Sequence, residues 1–384
     1  MPVAQYAMNE NIIILGGYGN TGLKVANLLL RYTNVSITLA ARNMDRLKTV
    51  VNQLNQQYST NRVSSVYADA SDEESLLLAF KRMDMVVVAS GTAEYAEIVA
   101  STALKSGIDY LDVQFSLKKV KVLKSMEGKI ERSGRCFITD GGFHPGLPAA
   151  LVRYGAQYFD QLEIAIVGSF IQQDWGSLNI SLSTAIEFVR ELVDFQSMFY
   201  RDGQWRKASM VSTKDFIEME FMAPFGKQLC APMFFEEMRE IPAVYPSLTH
   251  TGFYIAGFHK FVDMVVMPFI LLMVKLFPNS MQKPMAKIMF WSLKTFSKPP
   301  YATIMKLEAT GEKEGQPKKL EVQLYHEDGY WFTAIPVVAC LLQYLEGVIR
   351  KPGLWTMGNL VEPHRLMKDM ERMGIEVSEK IIME

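Results

Sequence analysis

The run Gly16-Gly17-Tyr18-Gly19-Asn20-Thr21-Gly22 follows directly on the apolar segment Ile12–Leu15, and it constrains this chain more than any other feature. Within it, Gly17-Tyr18-Gly19-Asn20-Thr21-Gly22 has the spacing GxGxxG. Spacing alone is weak, because glycines crowd many turns. The context gives it force: an apolar strand precedes it and a helix-like stretch, Thr21–Tyr32, follows. In that setting Gly17 allows a tight turn, and Gly19 lets the backbone approach a pyrophosphate with no Cβ in the way. Gly22 permits close packing of the helix on the strand. The helix N-terminus then offers unpaired N–H groups and a partial positive charge to phosphates. Gly17, Tyr18, Gly19, Asn20, Thr21 and Gly22 are therefore the first candidate binding residues.

The chain continues with the same alternation. Strand-like Val35–Ala41, Val63–Ala68 and Met85–Ala89 are separated by helix-like Met44–Tyr58 and Glu73–Arg82. Helix-like Tyr95–Ser106 follows, and strands Tyr110–Val113 and Arg135–Thr139 close the series. Strands alternating with helices imply right-handed crossovers and a parallel sheet. The expected fold class is α/β: an N-terminal Rossmann domain, a doubly wound parallel sheet, over residues 1–140. The breakers Gly141-Gly142-Phe143-His144-Pro145-Gly146 then open an α+β substrate and dimerisation domain over 141–335. There, Leu162–Phe170 reads as strand and Thr184–Met198 as helix. Thr303–Thr310 and Lys319–Leu324 read as a hairpin around Gly311–Pro317. Pro336–Ile349 reads as helix before the break Lys351-Pro352-Gly353, within a C-terminal segment 336–384.

About 20 residues past the glycines, domains that prefer NAD carry an Asp or Glu for the ribose 2′-hydroxyl. Here the strand ends Ala40-Ala41-Arg42-Asn43. No carboxylate is present to repel a 2′-phosphate, and Arg42 can meet one with a bidentate fork, assisted by Arg46 a turn later. NADP(H) is the expected cofactor. Asp69, after the third strand, could bound the adenine pocket, and Ser90 and Gly91 end the fourth strand at the edge that faces a cofactor. Ser71 followed by Glu74 has the form of a capping box. Lys118 and Lys119 read as a solvated helix face.

Composition excludes other classes. Forty Lys plus Arg balance 41 Asp plus Glu, a net charge of -1 with no long run of one sign, so no general grip on nucleic acid is expected. Cys136, Cys230 and Cys340 are odd in number and widely spaced, and the five histidines form no HExxH. Neither a disulfide framework nor a metal site is expected. With no basic-then-apolar leader at the N-terminus, a cytoplasmic protein is expected. Between Asp263 and Lys275, MVVMPFILLMV is uncharged and broken by Pro268, shorter than the roughly 20 apolar residues a spanning helix needs. The stretch 261–278 suits a buried or subunit-interface helix, or a membrane-surface or lipid patch helped by Lys275, Lys283, Lys287 and Lys294. Long apolar segments in this half also make a homodimer the expected assembly.

The chain resembles the saccharopine dehydrogenase-like oxidoreductases. GGYGNTG, AARNMDRL and GIDYLDVQ (Gly107–Gln114) carry the likeness, with GGFHPGLPA (Gly141–Ala149) matching the family's Pro-Gly turn between domains. KPGLWTMGNLVEPHRLMKDMERMGIEV resembles the tail that returns to the Rossmann domain. The resemblance implies hydride transfer between NADP(H) and a carbon–nitrogen bond of a small-molecule substrate. Gln114-Phe115-Ser116 stand where many relatives are acidic, and His144 where several are acidic or small; both depart from an amino-acid-type substrate. His144, a residue that ordinarily titrates near neutrality, on a Gly/Pro-rich turn, is the candidate proton-handling group. Asp112, at the sheet edge, is the candidate for orienting the nicotinamide ribose. Two further readings fit the same residues: a non-catalytic NADP(H)-sensing protein, and a membrane-associated reductase of a lipid-like carbonyl or enoyl compound.

Overall fold

A computed structural model of the chain describes residues 10–178, 185–186, 188–190, 196–209, 212–257, 259, 261–278 and 280–383. The described residues up to Ala150, with Tyr330–Gly374, form one compact unit. Leu151–Gly329 and the residues from Ile375 form another.

In the first unit, strands β1 (Asn11–Leu15), β2 (Ser36–Ala41), β3 (Val63–Tyr67), β4 (Met85–Val88), β5 (Asp109–Asp112) and β6 (Cys136–Thr139) alternate with helices. The helices are α1 (Asn20–Tyr32), α2 (Met44–Gln57), α3 (Glu73–Ala79), α4 (Ala96–Ser106) and α5 (Leu117–Arg132). A seventh strand, Gly353–Thr356, comes back from the C-terminal part of the chain. All pairings are parallel, and the order is Gly353–Thr356, β6, β5, β4, β1, β2, β3. The sequence explains the burial: β1 (Asn-Ile-Ile-Ile-Leu) is buried at Ile12–Leu15, and β4 (Met-Val-Val-Val) throughout, as strands covered on both faces require. Strand order reverses between β1 and β4, the place where such sheets open a crevice for ligands at their carboxyl ends.

The helix Gly329–Leu345 starts seven residues before the Pro336 that marks its expected beginning, and holds that proline inside. A proline removes a helical hydrogen bond, which favours the first turn as its place. Here an almost unbroken buried run from Phe332 to Leu345 offsets that cost by packing. Near its end, the Tyr344 hydroxyl donates to Asp109 at 2.5 Å, and Arg350 Nε donates to the same carboxylate at 3.2 Å. These bonds tie the returning segment to the start of β5.

The second unit is built on a mixed sheet in the order Ile217–Phe221, Gly226–Met233, His250–Ala256, Gln161–Gln172, Ala302–Lys313, Gln316–His326, Glu376–Met383. Neighbours are antiparallel except His250–Ala256, which runs parallel to Gln161–Gln172. The hairpin runs further than the breakers in Gly311–Pro317 suggest. Its strands continue to Lys313 and from Gln316, and Glu314 (φ 53°) and Gly315 (φ 72°) make the two-residue turn. Gly311 instead marks a register shift, where an added Cβ would lie 2.1 Å from the Gln161 carbonyl oxygen. The helix expected over Thr184–Met198 falls partly outside the described residues. Residues 185–186 and 188–190 are helical, and Met198 already belongs to the strand Met198–Arg201.

Candidate dinucleotide site at the glycine turn

The glycine turn begins where β1 ends. Gly16 N–H and Gly17 N–H both reach the Ala40 carbonyl at the end of β2, at 2.8 and 3.3 Å, and Gly19 N–H closes the turn onto Gly16 O at 2.8 Å. A Cβ on Gly22 would lie 2.4 Å from Gly16 O and 3.2 Å from Gly17 Cα, both main chain, so the first turn of α1 packs against the loop only as glycine. Gly19 differs: a Cβ there would touch only Gly16 O at 3.1 Å and Ala89 O at 3.9 Å. Beyond its chain neighbours, no other heavy atom lies within 4 Å of that position. Gly19 is also the N-cap of α1, which makes no side-chain cap bond and has no acidic residue in its first turn. The N–H groups and the positive end of the helix are thus left for an anion. By contrast, α2 is closed by Asn43, whose side chain accepts the Arg46 N–H at 3.0 Å.

Arg42 and Arg46 are both exposed, just past β2. The Arg46 guanidinium lies 4.6 Å from the centre of the Tyr18 ring, which gathers Tyr18 of the glycine turn and Arg46 of α2 on one side of the site. Asp69 is half-buried. The N–H and hydroxyl of Ser71 hold its carboxyl below the usual carboxylate range, helped by the charge of Arg42. The α3 cap is Asp72, accepting the Glu74 N–H at 3.0 Å, and not Ser71, whose hydroxyl is turned to Asp69. Ser90 and Gly91 follow β4. A Cβ on Gly16 would come 2.7 Å from Ser90 Cβ, so this corner packs directly against the glycine turn.

Behind that corner the carboxyl ends of β4, β5 and β6 are tied together. Gln114 Nε2 donates to Ser90 O at 2.6 Å and to Thr92 Oγ1 at 3.1 Å. Asp112 has no exposed surface: Lys119 Nζ donates to its Oδ1 at 2.6 Å and Thr139 Oγ1 to its Oδ2 at 2.8 Å. The same ammonium reaches Asp140 Oδ1 at 2.8 Å and the Gln114 carbonyl. Lys119 is fully buried, which corrects its reading as part of a solvated face. Burial alone would lower its basicity. The Asp112 and Asp140 carboxylates more than offset that and hold the ammonium above its ordinary range. With both carboxylate oxygens engaged and sealed, Asp112 braces the strand ends and has no edge to offer a ribose. Lys119 was legible in the sequence by phase: it falls in step with Leu123, Met126 and Ile130, the buried stripe of α5.

The Asp140–Gly146 turn is tight. Asp140 has φ 58°, Gly146 has φ 125°, and a Cβ on Gly146 would lie 2.4 Å from Gly142 O. His144 stacks on Phe143 with ring centroids 3.8 Å apart, and Phe143 in turn stacks on Phe332 at 5.2 Å. Burial pushes the His144 imidazole down to about 3, so it is neutral at pH 7. A group that titrates near neutrality was expected here; desolvation among these rings removes that property.

The family described as "Saccharopine dehydrogenase NADP binding domain" matches residues 12–134, from β1 into the turn after α5. Residues 12–134 are a saccharopine dehydrogenase NADP-binding domain. Carboxynorspermidine synthase from Vibrio cholerae is 20% identical to the chain over 398 aligned positions, covering 94% of each protein. Among solved structures, apo saccharopine dehydrogenase (L-Glu forming) from Saccharomyces cerevisiae covers 97% of this chain and 100% of its own, with a TM-score of 0.70 at 13% identity. That likeness is one of fold. The cofactor of the NADP-binding domain is NADP(H), and the residues present fit it. A side of Gly19 that a Cβ would occupy, an uncapped helix start and no carboxylate at the end of β2 are what a dinucleotide with a 2′-phosphate requires.

Proposed function

We propose that the chain is an NADP(H)-dependent oxidoreductase acting on a carbon–nitrogen double bond or the corresponding secondary amine of a small molecule. The observation that carries this is the glycine turn of the NADP-binding domain, open at Gly19 and followed across β2 by Arg42. Two similar proteins, a synthase of carboxynorspermidine and a saccharopine dehydrogenase forming L-Glu, are named for nitrogen-bearing compounds, and they support that substrate class as the first to test.

In this reading the main chain of Gly17, Tyr18, Gly19, Asn20, Thr21 and Gly22 holds the pyrophosphate at the start of α1. Arg42 and Arg46 take the 2′-phosphate, Asp69 bounds the adenine side, and Ser90 and Gly91 line the nicotinamide side. Bound NADPH would supply a hydride to the carbon of a C=N bond already protonated at nitrogen, which gives the neutral amine. His144, held neutral by burial, serves as a hydrogen-bonding partner for the reacting nitrogen and not as a stored proton. Asp112 acts at one remove, through Lys119 and Thr139, by fixing the strand ends. Three buried free thiols, Cys136, Cys230 and Cys340, suit a reducing, cytoplasmic setting.

The test is a fluorescence titration with NADPH and with NADH on the wild-type chain and on Arg42→Ala. Losing a charge-assisted contact to the 2′-phosphate weakens NADPH by about 1.5–3 kcal/mol and spares NADH. Turnover is then sought with imines and NADPH, and His144→Ala is expected to lower kcat. If neither nucleotide binds, or if Arg42→Ala weakens both equally, the cofactor assignment of these residues fails.

A further inference from the structure

The helices Met267–Leu276 and Gln282–Phe296 of the second unit carry an apolar face that this chain leaves uncovered. One side of the pair is a core: Val262, Val266, Ile270 and Val274 pack against Met285, Ala286, Met289 and Leu293. The opposite side faces solvent. Phe261, Val265, Phe269, Leu272 and Leu276, spaced three or four residues apart, are all exposed, Leu272 by 55% and Leu276 by 58%. The stretch 261–278, expected as a buried or subunit-interface helix or as a membrane-surface patch, is thus buried on one face only. On the second helix Trp291 is 58% exposed. Phe296 joins the two faces, tilted against Phe261 at 5.2 Å and edge-on to Trp291 at 6.1 Å.

Charge says what covers this face. From Met264 to Leu307 the sequence has no Asp or Glu, while Lys275, Lys283, Lys287, Lys294 and Lys298 are all exposed. Among the described residues none of these five makes an ion pair. Lys283, Lys287, Trp291 and Lys294 recur at i, i+4, i+8 and i+11, one stripe on the solvent side of their helix. No described helix is long and apolar enough to cross a membrane. An apolar face with aromatic edges and a lysine rim is the pattern of a helix lying in the plane of an anionic bilayer surface. A second copy is the poorer occupant. A twofold contact would draw on the same patch of both copies, and from Met264 to Leu307 that patch has no carboxylate to pair with the lysines it would cover.

We propose that this helical pair docks the chain on an anionic lipid surface, with Phe269, Leu272 and Leu276 entering the headgroup–acyl boundary and the lysines meeting lipid phosphates. The proposal stands on the second unit and holds whether or not the nucleotide reading does.

Flotation of the full chain with phosphatidylcholine vesicles, with and without about one-third phosphatidylglycerol, tests it. The chain is expected to float with the anionic vesicles at low salt, to stay behind with phosphatidylcholine alone, and to be released when the salt is raised. Each lysine near an anionic surface contributes about fivefold, so K283Q/K287Q/K294Q lowers partitioning roughly a hundredfold. Leu272→Glu with Leu276→Glu abolishes it. Both variants should keep wild-type circular dichroism and NADPH titration, which separates lost docking from lost fold. Absence of flotation with anionic vesicles overturns the proposal, as does equal flotation with neutral ones. A dimer that the Leu→Glu pair dissociates, with no vesicle binding by the wild type, assigns the face to a second copy and overturns it too.

Discussion

Lys119→Met isolates the ion cluster behind the nucleotide corner. The substitution keeps a straight, apolar side chain of similar length and removes three contacts: to Asp112 at 2.6 Å, to Asp140 at 2.8 Å and to the Gln114 carbonyl. Two buried carboxylates then stand near each other without a cation. Removing one partner of a buried pair costs about 3–5 kcal/mol, because the remaining charge stays desolvated. Against a typical stability of roughly 5–15 kcal/mol this is a large fraction. For a unit of this size it corresponds to a fall in Tm of about 6–20 °C. The ammonium is held above its ordinary range, so its contribution is complete at neutral pH and is lost only as pH rises through that raised value. Urea unfolding followed by far-ultraviolet circular dichroism at pH 7 reads the loss. The triple variant K119M/D112N/D140N, which removes the unpaired charges as well, is expected to regain about 2 kcal/mol over the single one. A loss below about 1 kcal/mol for Lys119→Met, or a triple variant no more stable than the single, would refute the argument that these carboxylates depend on the buried ammonium.

Gly22→Ala places a Cβ 2.4 Å from Gly16 O with only main chain to yield, so α1 must shift. Loss of NADPH binding is expected, with about 1–3 kcal/mol of stability, measured by titration and urea midpoint; wild-type affinity would show that the loop can relax. Burial lowers His144 to about 3 and His250 to about 4, so the folded chain refuses protons that the unfolded chain accepts below about 6.5. Stability should therefore fall as pH falls through that window, by up to about 2 kcal/mol at pH 5 from His144 alone. In urea titrations at pH 7 and 5, His144→Gln should flatten the dependence; parallel profiles would contradict the assignment.

The residues explain which features could be read in advance. The glycine turn and the alternation through β6 are local: β1 and β4 are short apolar runs, and the helices α1 to α4 announce themselves by period. NADP preference rested on one position, Arg42 in place of a carboxylate, and that too is local. Long-range features were hidden. Lys119 joins Asp140, 21 residues away, and Asp112 at the end of the preceding strand β5, and a charged residue by default reads as solvated. The phase of α5 held the correction. Gly353–Thr356 spans four residues beginning on the glycine of a Pro-Gly break, too few to show a period, and becomes a strand where β6 offers it an edge. Ser71 and Asp72 are both good caps side by side, and the bond from Ser71 to Asp69 decides between them. His144 kept its expected place on the turn but not its expected basicity, since it is buried against Phe143, which itself stacks on Phe332 from far along the chain.

The seventh strand sets an order of events during synthesis. More than two hundred residues separate Thr139 from Gly353, so β6 leaves the ribosome long before its outer neighbour exists. Until then it is an open edge of an otherwise finished parallel sheet, with its hydrogen-bonding groups available to any extended chain nearby. The nascent NADP-binding domain can gather its glycine turn early, yet its sheet is sealed almost last, when all of the second unit but its final strand, Glu376–Met383, has already been made. For a protein of this plan, the hazard of mispairing is greatest during translation, and a C-terminal truncation before Thr356 would make that passing exposure permanent.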